Sequence, residues 1–326
     1  MNKLLFIVIA CLSNPSYAHE PLLLTQNQFN ILKNAPRPDI FSQITLLNGS
    51  MVLTVIFILT LWLTFNLKFP QPSTNFNSSK INWSSLSIRI GLGTTLIMLG
   101  CGMLPQEGVE YLKQPALFAS EFQTNFLPNK LHLFSFIEII LGAGILIGLY
   151  SRVCVTLIAI LWLCSFIYFG KGFLQYSGFY ISNFIILFSL GAGDYSIVRE
   201  NNMGLKFVNA IGLAQCLTGL NFIYSSLSIK WTYPNVDIGI LTLKKAFTFG
   251  IPYDYFALLM MLSECLLGIF LILGYRLRYV SSLIIFLFLF LSINLSENIL
   301  AHNFIYGILG VFIITNGIPL FRRYKS

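Results

Sequence analysis

Long apolar stretches follow one another along most of the chain, separated by short polar segments. Each stretch is apolar on every face of a helix, and none alternates with the period of two that a β-strand would need. About 20 residues at a rise of 1.5 Å cross the roughly 30 Å hydrocarbon core of a bilayer. The pattern therefore predicts an all-α, polytopic helical membrane protein. Its nine predicted transmembrane helices cover 48–67, 85–104, 131–150, 153–170, 178–195, 206–228, 254–274, 279–296 and 300–318.

The first 18 residues have the pattern of a secretory signal peptide. Lys3 precedes a short apolar core over 4–12, and Ser16-Tyr17-Ala18 resembles a small-residue cleavage site. The apolar core is too short to span a bilayer. We therefore predict a signal peptide over 1–18; if it stayed uncleaved, it would add one more helix.

The membrane part of the chain contains an internal repeat. Residues 136–152 (FIEIILGAGILIGLYSR) align without a gap to 262–278 (LSECLLGIFLILGYRLR) at an offset of 126, and the Ile-Gly-Leu at 90–92 recurs at 211–213. Repeats in membrane proteins usually form pseudo-symmetric halves. The predicted organisation has an exported segment, first transmembrane helix and cytoplasmic linker over 19–84, a four-helix unit over 85–196, a second unit over 206–318 and a basic tail over 319–326.

Composition excludes several classes of protein. Of 326 residues, 56% are hydrophobic and only 10% are charged, against roughly 25% in soluble domains. The mean hydropathy of +0.76 is too high for a water-exposed surface. A soluble enzyme, a disordered protein and a nucleic-acid-binding module are therefore excluded, and the lipid bilayer is the first partner.

The charges predict an orientation in the membrane. The net charge is +8, and with the mature N-terminus outside, the inner segments carry eleven Lys and Arg. The outer segments carry eight, balanced by eight acids. Short basic loops face the cytoplasm. We therefore predict a bacterial inner (cytoplasmic) membrane protein with a periplasmic N-terminus and a cytoplasmic C-terminus.

The repeated segment places four residues on one helical face about 120° wide, and repeats the set 126 residues later. Glycine on this face allows a neighbouring helix to approach closely. Arginine at the predicted inner end anchors the helix at the membrane surface. The two sets are Glu138, Gly142, Gly148, Arg152 and Glu264, Gly268, Gly274, Arg278.

Glu138 and Glu264 are the candidate catalytic acids. Both lie well inside predicted transmembrane helices, where an ionisable side chain is costly and usually functional. Two interpretations stay open. Each acid either relays protons, or remains neutral and forms hydrogen bonds inside its own four-helix unit.

Three motifs of the first unit resemble the DoxX/DoxD-like family of small four-helix membrane proteins. They are R-I-G-L-G at 89–93, E-x-x-x-G-x-x-x-x-x-G-x-x-x-R at 138–152 and S-L-G-A-G-D-Y-S at 189–196. The second unit resembles the family more weakly, because it lacks the first arginine and ends in Thr315-Asn316-Gly317. By this resemblance Glu138 and Glu264 match the family's membrane acid, Arg89 and Arg152 match its basic positions, and Gly91 is one of its structural glycines.

The resemblance also implies a role in redox metabolism. DoxD-like members are similar to subunits of a thiosulfate:quinone oxidoreductase, and DoxX-like members accompany quinol oxidase or oxidative-stress complexes. The first expectation is thus a subunit or accessory of a quinone-linked respiratory or sulfur redox system, with quinone near Glu138 or Glu264. Electrons would come from a partner subunit, because the sequence has no redox cofactor motif. A small-solute or proton-coupled carrier and a non-catalytic scaffold remain alternatives.

Metal binding has little support in the sequence. The three histidines, His19, His132 and His302, fall on the predicted outer side, where they are weak candidates for metal ligands. Interfacial positions of this kind are also common for amphipathic side chains without any ligand. No H-E-x-x-H, C-x-x-C or phosphate-binding loop occurs in the chain.

Overall fold

The computed structural model describes residues 26–43, 78–104, 114–124, 132–200, 207–274 and 276–317. Within these ranges the protein is all-helical, and the single β-bridge joins Ala116 and Gln123. The predicted all-α class is confirmed for this part of the chain. The predicted signal peptide, the helix predicted over 48–67 and the basic tail lie outside the described residues.

Eleven α-helices are described, with short 3-10 segments at Gly170–Phe173 and Ile299–His302 and a π-helical turn at Ser226–Lys230. The α-helices are α1 Gln26–Asn34, α2 Asp39–Gln43, α3 Ser78–Gly100, α4 His132–Ile147, α5 Ser151–Phe169, α6 Leu174–Leu190, α7 Phe207–Ser225, α8 Pro234–Leu243, α9 Tyr253–Leu273, α10 Leu277–Leu295 and α11 Asn303–Thr315.

Four helical stretches in these ranges are long and apolar enough to cross a membrane. They are Ser151–Phe169, Asn209–Ser228, Tyr253–Leu273 and Leu277–Leu295. Three shorter apolar helices accompany them, at Leu133–Ile147, Leu174–Leu190 and Ile299–Thr315. Length and composition are therefore those of a helical membrane protein.

Some helix bounds differ from the predicted ones. Helix α4 stops at Ile147, three residues before the predicted end, because Gly148 has a positive φ of 74°. Helix α3 begins at Ser78, inside the segment predicted as a polar linker. Helix α8 was not predicted; its ten residues lie between the helices predicted over 206–228 and 254–274.

The helices pack in a reciprocal pattern. In the first predicted unit α3 contacts α4, α4 contacts α5, α5 contacts α6 and α6 contacts α3. In the second, α7 contacts α9, α9 contacts α10 and α10 contacts α11. The main contacts between the units join α3 to α11 and α6 to α7. The first helix of each predicted unit thus packs on the last helix of the other.

The two ends of this helical assembly differ in character. At one end, here called the basic end, α5 and α10 begin beside Arg152 and Arg278. At the opposite end, here called the loop end, residues 114–124 and α8 form the longer connections.

Close glycine contacts repeat at the offset of 126 residues. A Cβ added to Gly93 would lie 2.8 Å from the carbonyl oxygen of Gly142, and one added to Gly219 would lie 2.5 Å from that of Gly268. Gly148 and Gly274 likewise both have positive φ, at 74° and 68°. The two helix pairs α3–α4 and α7–α9 therefore use the same contact.

This register differs from the one that the Ile-Gly-Leu match suggests. A Cβ on Gly91 would lie 2.5 Å from the carbonyl oxygen of Asn303, whereas one on Gly212 would meet nothing within 4 Å. At an offset of 126, Arg89 corresponds instead to Gln215, which is also buried. The match between 90–92 and 211–213 does not mark equivalent positions in the packing.

The segment before the first predicted transmembrane helix packs on the second unit. Phe29 of α1 and Phe41 of α2 are buried in an apolar cluster with residues of α8 and α9. Arg37 donates a hydrogen bond to the carbonyl of Trp231 at 2.9 Å, and its guanidinium lies 4.5 Å from the centre of that ring system. This N-terminal segment is too short to form a hydrophobic core of its own, so its apolar side chains join the core of the second unit at the loop end.

Candidate functional site

A buried loop closes the loop end of the first unit. Residues 114–124, called the plug loop below, have most of their side chains buried. Buried backbone needs hydrogen-bond partners, and the loop supplies many of its own. Leu117 N–H donates to Phe122 at 2.9 Å, Thr124 N–H to Pro115 at 3.0 Å, and Ala116 N–H to Leu99 of α3 at 3.1 Å.

Phe118 links the plug loop to Glu138. Its backbone N–H donates to Glu138 Oε1 at 3.0 Å, and its carbonyl accepts a hydrogen bond from the Tyr180 hydroxyl. Phe118 has a φ of 63°, a left-handed conformation that costs about 1–3 kcal/mol for a residue other than glycine. Glu138 lies six residues after His132, which starts α4, so the loop descends about 9 Å below that helix end.

The Glu138 carboxyl group has no counter-charge among the described residues. Its side chain is 0% exposed, and Oε2 has no hydrogen-bond partner in the part of the chain that the structure describes. Phe118 packs edge-on against Phe173 and Tyr180, with ring centres 5.6 and 5.2 Å apart. An unpaired carboxylate in such apolar surroundings is costly, so the geometry favours a neutral carboxyl group.

A second acid, Glu121, lies in the plug loop and was not among the predicted site residues. Its Oε1 accepts hydrogen bonds from the Tyr176 hydroxyl and from Gln175 Nε2, the latter at 3.1 Å. Burial raises the pKa of Glu121 to about 7, although these two hydrogen bonds act in the opposite direction. The sequence analysis counted Glu121 among the eight outer acids; its position as the one charged residue of 114–124 was the available signal.

The raised pKa of Glu121 predicts a pH-dependent stability. Because this pKa lies above the unfolded value of 4.5, the folded form retains the proton more strongly. The stabilising contribution is full below pH 4.5 and is lost as pH rises to about 7, by at most about 3 kcal/mol. We expect the unfolding temperature of Glu121→Gln to fall less than that of the wild type between pH 5 and 8, measured in one detergent. Parallel curves for the two proteins would contradict this assignment.

Glu264 has a different environment from Glu138. Its Oε1 forms an ion pair with Lys230 Nζ, and its Oε2 accepts a hydrogen bond from Ser226 at 3.1 Å. The side chains of Lys230 and Glu264 are 16% and 19% exposed. Ser226 and Lys230 are the first and last residues of the π-helical turn that extends α7. Asp237 of α8 also lies close enough to interact electrostatically with both charges.

The repeat therefore places two acids at matching positions but gives only one of them a cation. At an offset of 126, Lys230 corresponds to Leu104, so the first unit has no lysine at this place. Ser226 corresponds in the same way to Gly100. Glu264 forms an ion pair inside the second unit, whereas Glu138 bonds to a loop backbone and keeps one oxygen unpartnered within the described ranges.

The Lys230–Glu264 pair predicts a specific double-mutant result. Lys230→Met leaves the Glu264 carboxylate without its cation and should destabilise the protein by about 2 kcal/mol, since the pair is only partly exposed. Adding Glu264→Gln removes the unpaired charge and should restore most of that loss, as thermal unfolding in detergent would measure. Lys245→Met, at an exposed position, is the matched control. A double variant no more stable than Lys230→Met would show that the lysine stabilises by other means.

Arg89 has a structural position at the basic end. It is 2% exposed and donates four hydrogen bonds to backbone carbonyls, at 2.7 to 3.1 Å. The acceptors lie at the end of α4 and in the segment after α6: Ile145, Leu146, Ala192 and Tyr195. A Cβ on Gly148 would lie 2.7 Å from this guanidinium. The three motifs of the first unit thus meet around one arginine.

Arg152 and Arg278 make the same contact in the two units. Arg152 Nε donates to the carbonyl of Phe188 near the end of α6 at 2.9 Å, and Arg278 Nε donates to that of Ile313 near the end of α11 at 3.1 Å. Both satisfy carbonyls that a helix end leaves without partners. Their predicted role as anchors is compatible with this geometry, which places neither near the acids.

The histidines do not come together. His302 lies 3.5 Å from Glu297 and packs against Phe288, while His19 and the side chain of His132 lie outside what is described. Among the described residues no three His, Cys, Asp or Glu side chains are grouped as metal ligands would be.

An apolar groove of about 400 Å³ lies between α5, α6 and α7, toward the basic end. Neither Glu138 nor Glu264 lines it. Ala159, Phe184 and Leu213 contribute to its walls, and Thr156, Ser189 and Asn209 add a few polar groups. Phe184 is 6.1 Å from the ring of Tyr180, which bonds to the plug loop.

Comparison of this chain with known proteins found no matching family model, no similar curated protein and no similar solved structure. The resemblance to the DoxX/DoxD-like family therefore stays a prediction from the motifs.

Proposed function

We propose that the chain is a DoxX-like inner-membrane protein with about nine transmembrane helices, eight of them in two tandem four-helix bundles. The repeated glycine contacts at 93/142 and 219/268 support equivalent bundles. The N-terminus would be periplasmic and the basic end cytoplasmic. Arg152 and Arg278 at the same end of the assembly support this orientation, because short basic loops are retained in the cytoplasm.

The proposed activity is that of a subunit or accessory of a quinone-linked respiratory or sulfur redox system. The observation that carries it is the Glu138 carboxyl group, fully buried and with one oxygen unpartnered among the described residues. Intramembrane acids of this kind commonly move protons. Reducing a quinone to a quinol takes two electrons and two protons. A partner subunit would supply the electrons, and Glu138 would exchange protons.

The apolar groove is the proposed place for the quinone. Glu138 does not line it, so its protons would reach the quinone through ordered water along α6, where Phe184 of the groove lies 6.1 Å from the ring of Tyr180. The volume and apolar walls of the groove suit an isoprenoid chain, and its polar groups can bond to quinone carbonyls. Glu264, the other acid first considered for quinone binding, is bonded to Lys230 and Ser226 and is left out of this proposal.

The carrier alternative has less support. Alternating access requires one bundle to move against the other. The units meet through backbone contacts, since a Cβ on Gly91 would lie 2.7 Å from the Cα of Gly307. Such close packing favours a fixed arrangement.

Purification in mild detergent tests the proposal. We expect extraction and mass spectrometry to detect a bound quinone, and a redox subunit to co-purify. Ala159→Phe should reduce the quinone content by filling the groove, whereas Leu163→Phe, an exposed residue on the same helix outside the groove, should not. If the purified protein carries neither quinone nor a redox subunit, the proposed redox function is wrong and the non-catalytic scaffold remains as the alternative.

A further inference from the structure

Several buried polar atoms at the loop end of the first unit have no partner among the described residues. They belong to the plug loop, α4, α5 and α6 and include Glu121 Oε2, Ser135 Oγ, Glu138 Oε2, Trp162 Nε1 and Gln175 Oε1. Buried polar groups are nearly always hydrogen-bonded, either to protein or to ordered water. Five such atoms around one loop therefore indicate a hydrated region inside this half of the protein.

The Tyr180 hydroxyl lies near both acids of this region, Glu138 and Glu121. This hydroxyl bonds to the carbonyl of Phe118, whose N–H bonds to Glu138. The same hydroxyl lies close enough to Glu138 and to Glu121 to interact electrostatically with both carboxyl groups. The two acids are therefore neighbours across one tyrosine, although they lie 17 positions apart in the sequence.

Glu121 extends this chain of polar groups from Glu138 and Tyr180 toward the surface at the loop end. Tyr176 and Gln175 bond to its Oε1. Glu297, from the connection between α10 and α11, lies within electrostatic range of Glu121 and 3.5 Å from His302. The Glu297 side chain is 18% exposed, so it reaches solvent.

We infer that Glu121, Tyr180 and ordered water form a proton path between the buried Glu138 carboxyl and the aqueous face at the loop end. In one step the O–H bond of Glu138 breaks, its proton passes through water to a Glu121 carboxylate, and a new O–H bond forms there, leaving a Glu138 carboxylate. The O–H bond of Glu121 then breaks and the proton passes toward Glu297 and solvent; the same steps in reverse return a proton to Glu138 during quinone reduction. No electron moves, and the inference rests on the proton-exchange role proposed for Glu138.

Among the residues that the structure describes, few titratable groups surround the path. Helix α6 contributes Tyr176 and Tyr180, and the second unit contributes Glu297, His302 and Tyr306. The nearest buried cation of α3, Arg89, is bonded to four carbonyls at the basic end. Within the described chain no cation forms an ion pair with either acid of the path.

Infrared spectroscopy of the full-length protein in D₂O tests the path. The carboxyl C=O band that Glu138→Gln abolishes at pH 5 reports the Glu138 proton, and deuterium exchange shifts it. We expect exchange in the wild type to be slowed about tenfold or more by Tyr180→Phe and by Glu121→Gln. Ser226→Ala, which removes a hydrogen bond to Glu264 in the second unit, should leave the rate unchanged. Unfolding temperatures confirm that each variant is folded.

Three outcomes would overturn the path. They are an unchanged exchange rate in both path variants, a band that does not exchange in the wild type, and the absence of any band sensitive to Glu138→Gln. The measurement needs neither quinone nor a partner subunit. If exchange follows the path but the purified protein carries no quinone, the path stands and the proposed redox function fails.

Discussion

Replacing Arg89 with methionine should lower the unfolding temperature of the detergent-solubilised protein by about 10 °C. Methionine fills similar space but removes the four hydrogen bonds that Arg89 donates. Each buried carbonyl that loses a charged donor costs about 1–3 kcal/mol, and the losses do not add fully, so the total is about 4 kcal/mol. These hydrogen bonds hold the end of α4 to the segment after α6, so their loss weakens the structure in both places.

Arg278→Met is the matched control for this prediction. Arg278 also caps a helix end, but its guanidinium donates a single hydrogen bond, to the carbonyl of Ile313 at an exposed position. Its loss should cost about 1 kcal/mol or less. Equal shifts in the two variants would show that Arg89 contributes only an ordinary helix cap.

Replacing Gly91 with alanine should separate α3 from α11 and destabilise the protein by about 3 kcal/mol. The added Cβ would lie 2.5 Å from the carbonyl oxygen of Asn303 and 2.7 Å from the Cα of Gly307. Both are backbone atoms, so no flexible side chain can move away. One helix must shift, and this contact joins the two units.

Gly212→Ala provides a sharp comparison, because the sequence motif makes the two glycines look equivalent. A Cβ on Gly212 meets nothing within 4 Å. Alanine is the better helix former by up to about 1 kcal/mol, so this variant should be neutral or slightly stabilised. Thermal unfolding of both variants in the same detergent decides the point. Equal destabilisation would mean that the motif, and not the offset of 126, gives the true register.

The helical class could be predicted from sequence because apolar length and periodicity are local properties. The repeat at 136–152 and 262–278 could be read for the same reason, since glycine spacing on one helix face is written directly in the chain. The paired contacts Gly93–Gly142 and Gly219–Gly268 then extend that offset to a second helix of each unit.

The different surroundings of the two acids could not be predicted from the repeated segment alone. The partner of Glu264 is Lys230, which lies in another helix, and the partner of Glu138 is the backbone of Phe118. Backbone contacts of a buried loop depend on tertiary packing and leave no residue pattern. The sequence could have shown that only the second unit has this lysine, because extending the offset of 126 aligns Lys230 with Leu104.

In the proposed quinone-linked system Glu138, and not its repeat counterpart Glu264, is the acid that exchanges protons. The most direct measurement is the quinone-dependent turnover of the purified assembly in Glu138→Gln and Glu264→Gln. We expect Glu138→Gln to lower turnover about 100-fold, as the loss of a proton-transfer group does, and Glu264→Gln to retain it within about threefold. Full turnover in Glu138→Gln, or an equal loss in both variants, would contradict the claim.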